Sequence, residues 1–280
     1  MDLILYLNGE EGFLTLKTVA PDNNISLIVL PPEHHNEQIL EYAKEQNIEV
    51  KYRDKGTALE LNYPEMTIIS SAFPYKIYKA ETLSVKQAVN FHAAILPTYR
   101  GRHGNVWAMI NDEKKLGVTA HEIDDKFDNG KILKIEEFDV NDEMSLSDIQ
   151  ISLQKALVDL LKAFIQSNGN MAFEDKKRKN IYWRARTLSD GNINWLQTNR
   201  NVFLFIRALS RDPIYAYSKY GKSTFKFISV ETSSKKFHSL PGSVHNSNNI
   251  LYVATGDGKS IKIIKHTTNH SLLTDRMVLH

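Results

Sequence analysis

The sequence predicts an α/β fold, in which a doubly wound, mainly parallel β-sheet is followed by a small β-rich domain. In the first part of the chain, short apolar runs alternate with segments of helical periodicity, which is typical of a parallel sheet with covering helices. Beyond about residue 200 the apolar runs are short and separated by Gly and Asn turns, which favours a small barrel. A chain of 280 residues that is 42% hydrophobic is long enough for both parts.

The N-terminal elements are assigned from their periodicity. Continuous apolar runs predict buried strands at Leu3–Leu7, Ile25–Leu30, Met66–Ser70 and Ala88–Phe91. The longer period of covering helices is present in Gly12–Val19 and Asn36–Glu45. Gly9 and Gly12 follow the first strand, but Gly-Glu-Glu-Gly is not a dinucleotide fingerprint and its acids would repel phosphate, so NAD binding is rejected.

A long helix is predicted from Ser145 to about Ser167, because Ser145 and Asp148 form a capping-box signal and apolar residues then recur at helical spacing. Asn199–Leu209 predicts a helix of the second domain. Short strands of an OB-like barrel are predicted at Tyr215–Tyr217, Phe225–Val230, Ile250–Ala254 and Ile261–Ile264. The predicted division is a catalytic domain at 1–180, a linker at 181–200 and a small β-rich domain at 201–280.

Composition narrows the classes of protein that fit. The absence of cysteine excludes disulfides, thiolate nucleophiles and Cys-ligated zinc. No apolar run approaches the ~18 residues of a membrane helix, and the first residues lack the basic stretch of a signal peptide, so a cytoplasmic protein is expected. The adjacent His34 and His35 have diverging side chains, which favours a surface loop, and no metal site is predicted.

The net charge of +2 hides an asymmetry. Residues 1–180 contain 21 Lys and Arg against 28 Asp and Glu, whereas residues 181–280 contain 14 against 5. A basic C-terminal third suggests an anionic partner such as a nucleotide diphosphate or RNA, the alternative being a basic surface without a ligand. The run Lys176–Lys179 favours a solvated connector, with a phosphate contact as its alternative.

Three polar residues carry the predicted chemistry. Asn90 and His92 lie two residues apart on a predicted strand, so their side chains share one face, and a carboxylate follows at Asp128 in an acidic loop. Acyl transfer to an amine needs an amide that donates to the developing oxyanion, an imidazole that handles protons and a carboxylate that sets the state of the imidazole. The alternative is a buried structural histidine with an unrelated loop aspartate.

The stretch Asn90–Gly101 resembles the signature of the folate-dependent formyltransferases, where an Asn-x-His-x-Ser-Leu-Leu-Pro-x-Tyr-Arg-Gly run precedes a distant Asp-x-Gly. Asn90, His92 and Asp128 fall on the catalytic triad of that family, while Ala94 replaces its usual Ser. The resemblance continues through Trp107–Asn111, Gly117–Thr119, His121, Arg184–Gly191, Ile193–Trp195, Ile206–Leu209, Pro241–Val244 and Thr255–Gly258. It is closest to the nucleotide-linked amino-sugar N-formyltransferases and to methionyl-tRNA formyltransferase.

The resemblance implies N10-formyltetrahydrofolate as the donor and a primary amine as the acceptor. Asn90 would donate to the oxyanion, His92 would stabilise it or accept the ammonium proton, and Asp128 would favour the cationic imidazole. The implied folate-binding residues lie in two segments: Phe73, Tyr75 and Ile77, and His121, Ile123, Asp124 and Asp125. Ordinary core packing is the alternative for Phe73 and Tyr75. Leu96–Pro97 resembles a bend of the family that is expected to be cis.

For the acceptor, the resemblance favours a dTDP- or UDP-linked amino sugar used in surface polysaccharide synthesis. Candidate binding residues are Arg100, Arg102, His103, Asn105, Trp107, Arg184 and Arg186, and a diphosphate between the two domains is the hypothesis. Methionyl-tRNA is the alternative, although Leu30–Gln38 contains no Lys or Arg to contact an acceptor stem. Other amines, formyl-folate hydrolysis and a non-catalytic folate-binding protein also stay open, as does a homodimer.

Overall fold

The computed structural model describes residues 1–34, 36–172, 178–211, 214–268 and 272–280, so His35, Lys176 and Lys177 lie outside the described residues. The chain forms two compact units. The first comprises Met1–Asn105, Lys114–Asn141 and Ser147–Arg184, and the second comprises Val106–Glu113, Asp142–Leu146 and Ala185–His280. Two short segments that lie before residue 147 in the sequence therefore belong to the second unit, a feature that a boundary at residue 180 does not include. The division into two domains and a linker stays a prediction.

The first unit is built on a seven-stranded sheet. Its strands are β1 Asp2–Leu7, β2 Asn24–Leu30, β3 Glu49–Tyr52, β4 Tyr63–Ser71, β5 Val85–His92, β7 Lys115–Glu122 and β8 Ile132–Asp139, with a separate pair β6 Arg100–Gly101 and β9 Tyr182–Trp183. The helices, numbered along the whole chain, are α1 Gly9–Val19, α2 Glu37–Glu45, α3 Lys79–Thr82, α4 Gly104–Ile110, α5 Leu146–Gln166 and α6 Asn199–Ala208. The predicted strands and helices are confirmed, and β3, β6, β7, β8, β9, α3 and α4 are additions.

The strand order β3-β2-β1-β4-β5-β7-β8 confirms a mainly parallel sheet. Strands β1 to β5 pair in parallel, whereas β7 pairs antiparallel with both β5 and β8. In this register Asn90 lies opposite Ser70 on one side and His121 on the other. The end of β5 is therefore flanked by polar residues from both neighbouring strands. Ligands of open α/β sheets bind beyond such carboxyl ends.

The two faces of the sheet are covered differently. Helices α1, α2 and α5 pack their apolar side chains on one face, together with alternate strand residues such as Leu5, Val89 and Phe91. The opposite face, with Ile4 and Tyr6, packs beneath irregular segments that contribute side chains such as Leu61, Phe73 and Ile77. Side chains alternate between the faces of a strand, which explains this division. The functional candidates lie on the face without the long helices.

The second unit combines helix α6 with a five-stranded antiparallel sheet. Its strands are β10 Ala216–Tyr220, β11 Ser223–Ser233, β12 Val244–Ser247, β13 Ile250–Ala254 and β14 Ser260–Thr268, in the order β10-β11-β14-β13-β12. A small β-rich domain is confirmed, whereas closure into an OB-like barrel stays a prediction. Ile193 and Trp195, from the predicted linker, are buried in the core of this unit. Across the described part of the chain, no helix combines the length and apolar character that crossing a membrane requires.

Candidate active site

The structure brings Asn90, His92 and Asp128 together at the end of β5. His92 Nδ1 lies 3.6 Å from Asp128 Oδ1. Asn90 Nδ2 lies 3.1 Å from His121 Nε2, and that same ring nitrogen is 3.7 Å from Asp128 Oδ1. Two imidazoles therefore face one carboxylate oxygen, and His121 connects Asn90 to the other two residues.

Asp128 is positioned by a loop whose backbone includes positive φ angles, which residues other than glycine rarely adopt. Asp128 has φ +50°, in the left-handed region, where non-glycine residues are uncommon. Its Oδ2 accepts a hydrogen bond of 2.8 Å from the N–H of Gly101, which has φ +92°. A Cβ at Gly101 would lie 2.2 Å from the carbonyl oxygen of Trp183, and a Cβ at Gly130 would lie 1.7 Å from that of Glu122. Glycine is therefore required on both sides of the carboxylate.

Electrostatics keep the carboxylate ionised and the first imidazole neutral. Burial acts to raise the pKa of Asp128, but the charge that His92 carries when protonated, together with the hydrogen bond from the Gly101 N–H, lowers it to about 2. Burial lowers the pKa of His92 by more than the Asp128 charge and the Tyr99 carbonyl raise it. At neutral pH the pair is consequently an ionised carboxylate beside an uncharged ring.

The tautomer of His92 follows from its second contact. His92 Nε2 lies 2.8 Å from the carbonyl oxygen of Tyr99, which can only accept, so the proton of the neutral ring is on Nε2. Nδ1 then carries the lone pair and faces Asp128. A proton taken up at Nδ1 would be stabilised by the carboxylate. This arrangement suits a general base.

A cleft of about 410 Å³, a volume that includes the open solvent at its mouth, lies beside these residues. It is lined by Ser70, Phe73, Tyr75, Lys76, Ile77, Asn90, His121, Ile123, Asp124, Lys126, Phe127 and Asp128. Six of the seven predicted folate-binding residues line this cleft, whereas Asp125 is exposed and does not line it. Four further residues line the cleft and were not predicted: Ser70, Lys76, Lys126 and Phe127. Their positions in the sequence, next to the predicted segments, could have indicated them. Aromatic and aliphatic side chains with a few polar groups are typical of a site for a flat heterocycle.

One wall of the cleft rests on a buried ion pair that sequence reasoning missed. Phe73 packs edge-to-face against Tyr6 and Tyr75, and the guanidinium of Arg53 lies 5.4 Å from the Phe73 ring. Arg53 donates to the carbonyl of Lys76 and its Nε is 3.0 Å from Glu81 Oε1, with both side chains fully buried. The segment that carries Phe73, Tyr75 and Ile77 is thereby fixed from below.

The candidate acceptor-binding residues form two groups: those that hydrogen-bond the backbone of the site, and those that are exposed or half-buried. Arg100 donates to the carbonyl of Phe127 and to Asn180 Oδ1, so it supports the loop of Asp128. Asn105 is buried and donates to the carbonyl of Ala93, beside Ala94, which packs under Gly104. The remaining candidates are the exposed Arg102, His103 and Arg184 and the half-buried Trp107 and Arg186. Their assignment to the acceptor stays a prediction.

Other expectations have structural outcomes as well. The Leu96–Pro97 bond is cis, as expected. Among the described residues, no group of three or more His, Cys, Asp or Glu side chains is arranged to hold a metal ion.

Comparison with known proteins matches two families. Residues 36–165 match the family described as formyl transferase, and residues 187–271 match the formyl transferase C-terminal domain. The methionyl-tRNA formyltransferase of Clostridium acetobutylicum is 30% identical over 190 residues, which are 66% of this chain and 61% of that relative. The chain therefore spans somewhat under two thirds of the length of this relative.

Two solved structures share the fold across almost the whole chain. WlaRD, a sugar 3N-formyl transferase solved with dTDP and 5-N-formyl-THF, has a TM-score of 0.73 at 18% identity and covers 94% of this chain and 97% of its own. An N-formyltransferase from Helicobacter canadensis, solved with folinic acid and dTDP-3-aminofucose, has a TM-score of 0.71 at 20% identity, with coverages of 94% and 98%. At these identities the likeness shows the fold.

Proposed function

The chain belongs to the formyl transferase family, and from this premise we propose that it transfers a formyl group from N10-formyltetrahydrofolate to the primary amine of a dTDP- or UDP-linked amino sugar. The observation that carries the proposal is the junction of Asn90, His92 and Asp128 beside a cleft of suitable chemistry. An amide donor, an uncharged imidazole and a carboxylate are the groups that acyl transfer to an amine requires. A cytoplasmic location and a homodimer are parts of the same proposal.

Each residue has a defined role in this reaction. The acceptor nitrogen attacks the formyl carbon, and Asn90 Nδ2 donates to the oxyanion that forms. His92 Nδ1 accepts the proton that the attacking nitrogen loses, and the Asp128 carboxylate, 3.6 Å away, stabilises the resulting imidazolium. The proton then passes to the folate nitrogen as its bond to the formyl carbon breaks. Contributions of this kind are each typically about 10²–10⁴ in rate.

The cleft supports a folate donor on chemical grounds. Phe73, Ile77 and Ile123 offer an apolar wall to a flat ring, and Ser70 and Asp124 offer polar partners for its edges. Lys76 and Lys126 also line the cleft and could attract the carboxylates at the other end of a folate. The bound donor supplies the formyl group, and the residues of the chain supply its orientation beside Asn90.

Two findings bear on the acceptor. The solved structures with the same fold include proteins described with dTDP and with dTDP-3-aminofucose, which supports a sugar nucleotide. Methionyl-tRNA is the second candidate, because a methionyl-tRNA formyltransferase is 30% identical over its matched residues and the C-terminal third of this chain is basic. We favour the sugar nucleotide because Leu30–Gln38 contains no cation for a tRNA stem. Surface polysaccharide synthesis is the process that such a product would enter.

An acceptor screen tests the proposal. Purified protein with formyl-folate is offered dTDP- and UDP-linked 3- and 4-amino sugars and methionyl-tRNA, and formylated product is measured. We expect turnover with an amino-sugar nucleotide, with at most weak tRNA binding that falls steeply as salt rises. His92→Asn and Asp128→Asn should each lower turnover at least about a hundredfold in folded protein.

The outcome distinguishes the two acceptors. Aminoacyl-dependent tRNA binding at physiological salt, with no product from any amino sugar, would replace the first candidate by the second. Near-normal turnover of either variant with any acceptor would refute the assigned roles of His92 and Asp128. Lys222→Gln, a substitution at an exposed residue of the second unit, controls for effects of protein preparation and should keep wild-type turnover.

A further inference from the structure

His121 is buried on β7, directly opposite Asn90 in the antiparallel β5–β7 pair. Its Nδ1 lies 2.8 Å from the carbonyl oxygen of the next residue, Glu122. A carbonyl oxygen only accepts hydrogen bonds, so Nδ1 is the protonated nitrogen and Nε2 of the neutral ring carries a lone pair. Asn90 Nδ2, 3.1 Å from His121 Nε2, is close enough to donate a hydrogen bond to that lone pair. Asp128 Oδ1, at 3.7 Å, is too far from the same nitrogen for a hydrogen bond.

We propose that His121 is a positioning residue that fixes the amide of Asn90 with its nitrogen, not its oxygen, at the reacting centre. The two ends of an asparagine amide have the same shape, and only hydrogen-bonding partners decide which way it points. His121 Nε2 accepts one hydrogen of Asn90 Nδ2. The second hydrogen on the same nitrogen is then available to the oxyanion. The inference rests on the proposed function.

The geometry sets His121 apart from a residue that merely binds folate. Its side chain is 3% exposed, and each ring nitrogen already has a partner within the protein. The Glu122 carbonyl fixes the ring from one side, so the lone pair on Nε2 has a defined direction. The ring also packs edge-to-face against His92, with centroids 6.4 Å apart. Removal of a group that orients a reacting residue through a hydrogen bond commonly lowers the activity of an enzyme.

The kinetic test is a double-mutant cycle between Asn90 and His121. His121→Leu should lower kcat about ten- to a hundredfold, less than the loss of an oxyanion donor itself, and change the KM for folate less than threefold. In an Asn90→Ala background the same change should lower kcat less than about twofold, because the amide that it acts on is gone. His121→Gln, which keeps an acceptor, should recover part of the loss. His266→Leu, at a half-buried histidine of the second unit, is the matched control.

A spectroscopic test needs no substrate. In ¹⁵N-labelled protein, the Asn90 side-chain nitrogen should show a scalar coupling to His121 Nε2 across the hydrogen bond, and this coupling should disappear in His121→Gln. Absence of the coupling in the wild type, or full additivity of the two kinetic losses, would overturn the inference. Lack of formyl transfer by the wild type would refute the proposed function alone, and the coupling would still decide the orientation of Asn90.

Discussion

The Asp128 carboxylate stays charged although its side chain is only 12% exposed to solvent. It does so because a protonated His92 and the Gly101 N–H stabilise the charged form, which holds its pKa at about 2. A depressed carboxyl pKa contributes stability that is present above the unfolded value near 4 and is lost as pH falls through the folded value. The charge that the proposed reaction needs is therefore also one that stabilises the folded loop.

The pH profile of activity tests the state of His92. Because burial lowers the His92 pKa, kcat/KM should fall only below the ordinary histidine value of about 6.5 and stay level from there to pH 8. Asp128→Asn removes a charge that raises this pKa, so the acidic limb of its residual activity should move to still lower pH. Steady-state rates from pH 4.5 to 8.5 provide the measurement. A limb at or above 6.5 would contradict a neutral, buried base.

At the residue scale, the motif was sufficient to predict that Asn90, His92 and Asp128 lie close together, because a strand places alternate residues on one face and a glycine-rich loop returns the carboxylate. Their catalytic roles stay a prediction. It could not predict that Arg100 and Asn105 support loops. Both residue types form hydrogen bonds readily, and the path of the backbone decides whether the partner is a carbonyl or a ligand. His121 was predicted in the site, but its contact with Asn90 depends on the register of β7.

At the element scale, the irregular cover of the sheet depends on helix α3 and its Glu81. This fully buried carboxylate accepts from Tyr6 Oη at 2.8 Å and from the Tyr78 N–H at 2.8 Å, in addition to its ion pair with Arg53. The same burial and the adjacent Glu81 charge raise the pKa of Tyr6. A four-residue helix has little stability of its own, so these contacts must hold it.

Substitution of Glu81 tests this role. Glu81→Ala should lower the free energy of unfolding by about 3–5 kcal/mol, because it leaves the Arg53 guanidinium buried without its counter-charge. Weaker folate binding should accompany the loss. Urea unfolding at pH 7 measures it, and Glu65→Ala, an exposed change on β4, is the control. A loss below about 1 kcal/mol would show that the ion pair does not support the wall.

Helix α1 contains a half-buried carboxyl, Glu11, whose pKa is raised to about 7 by desolvation despite a 3.2 Å hydrogen bond from Ser71 Oγ. The folded state then binds more protons than the unfolded state between pH 4.5 and 7, so stability falls as pH rises through this range. Glu11→Gln should raise the free energy of unfolding at pH 8 by roughly 1–3 kcal/mol and change it little at pH 4.5. Thermal unfolding at both pH values is the measurement. Equal effects at both would exclude a raised pKa.

The elements that sequence reasoning missed share a physical cause. Strand β7 is buried yet contains Gly117, Thr119 and His121, so its pattern is not that of an apolar core strand. Helix α4 has seven residues and starts with Gly104, too short for a helical period to stand out. Long, strongly periodic segments such as α5 were predicted to within a residue or so. Tertiary contacts decide the rest.

At the scale of the whole molecule, the sequence indicated an α/β part followed by a β-rich part, which the two main sheets confirm. The second unit includes Val106–Glu113, and Val106 packs against its core. It also includes Asp142–Leu146, and Arg200 of α6 bonds Asp112 and Asp142, each at 2.5 Å. Contacts over such sequence separations leave no local signal.

A fragment of residues 185–280 should therefore be less stable than the same unit in the complete chain. It lacks an apolar side chain of the core and both carboxylates that pair with Arg200, and burial and charge pairing together correspond to about 2–3 kcal/mol. Fluorescence of Trp195 during urea unfolding compares the two proteins, with Trp107 and Trp183 replaced by Phe in the complete chain. Identical midpoints would show that the short segments are dispensable.

The unequal cover of the central sheet has a consequence for how the molecule fluctuates. Amide protons of the strands are hydrogen-bonded within the sheet and covered by apolar residues, whereas residues 72–78 and 123–129 lie outside the strands and helices of the described chain. Hydrogen exchange should therefore proceed by local opening in these two segments, well before the strands exchange. A donor in the cleft would touch both segments, so its arrival should be visible as slowed exchange there. The face proposed to perform the reaction would then also report whether the cleft is occupied.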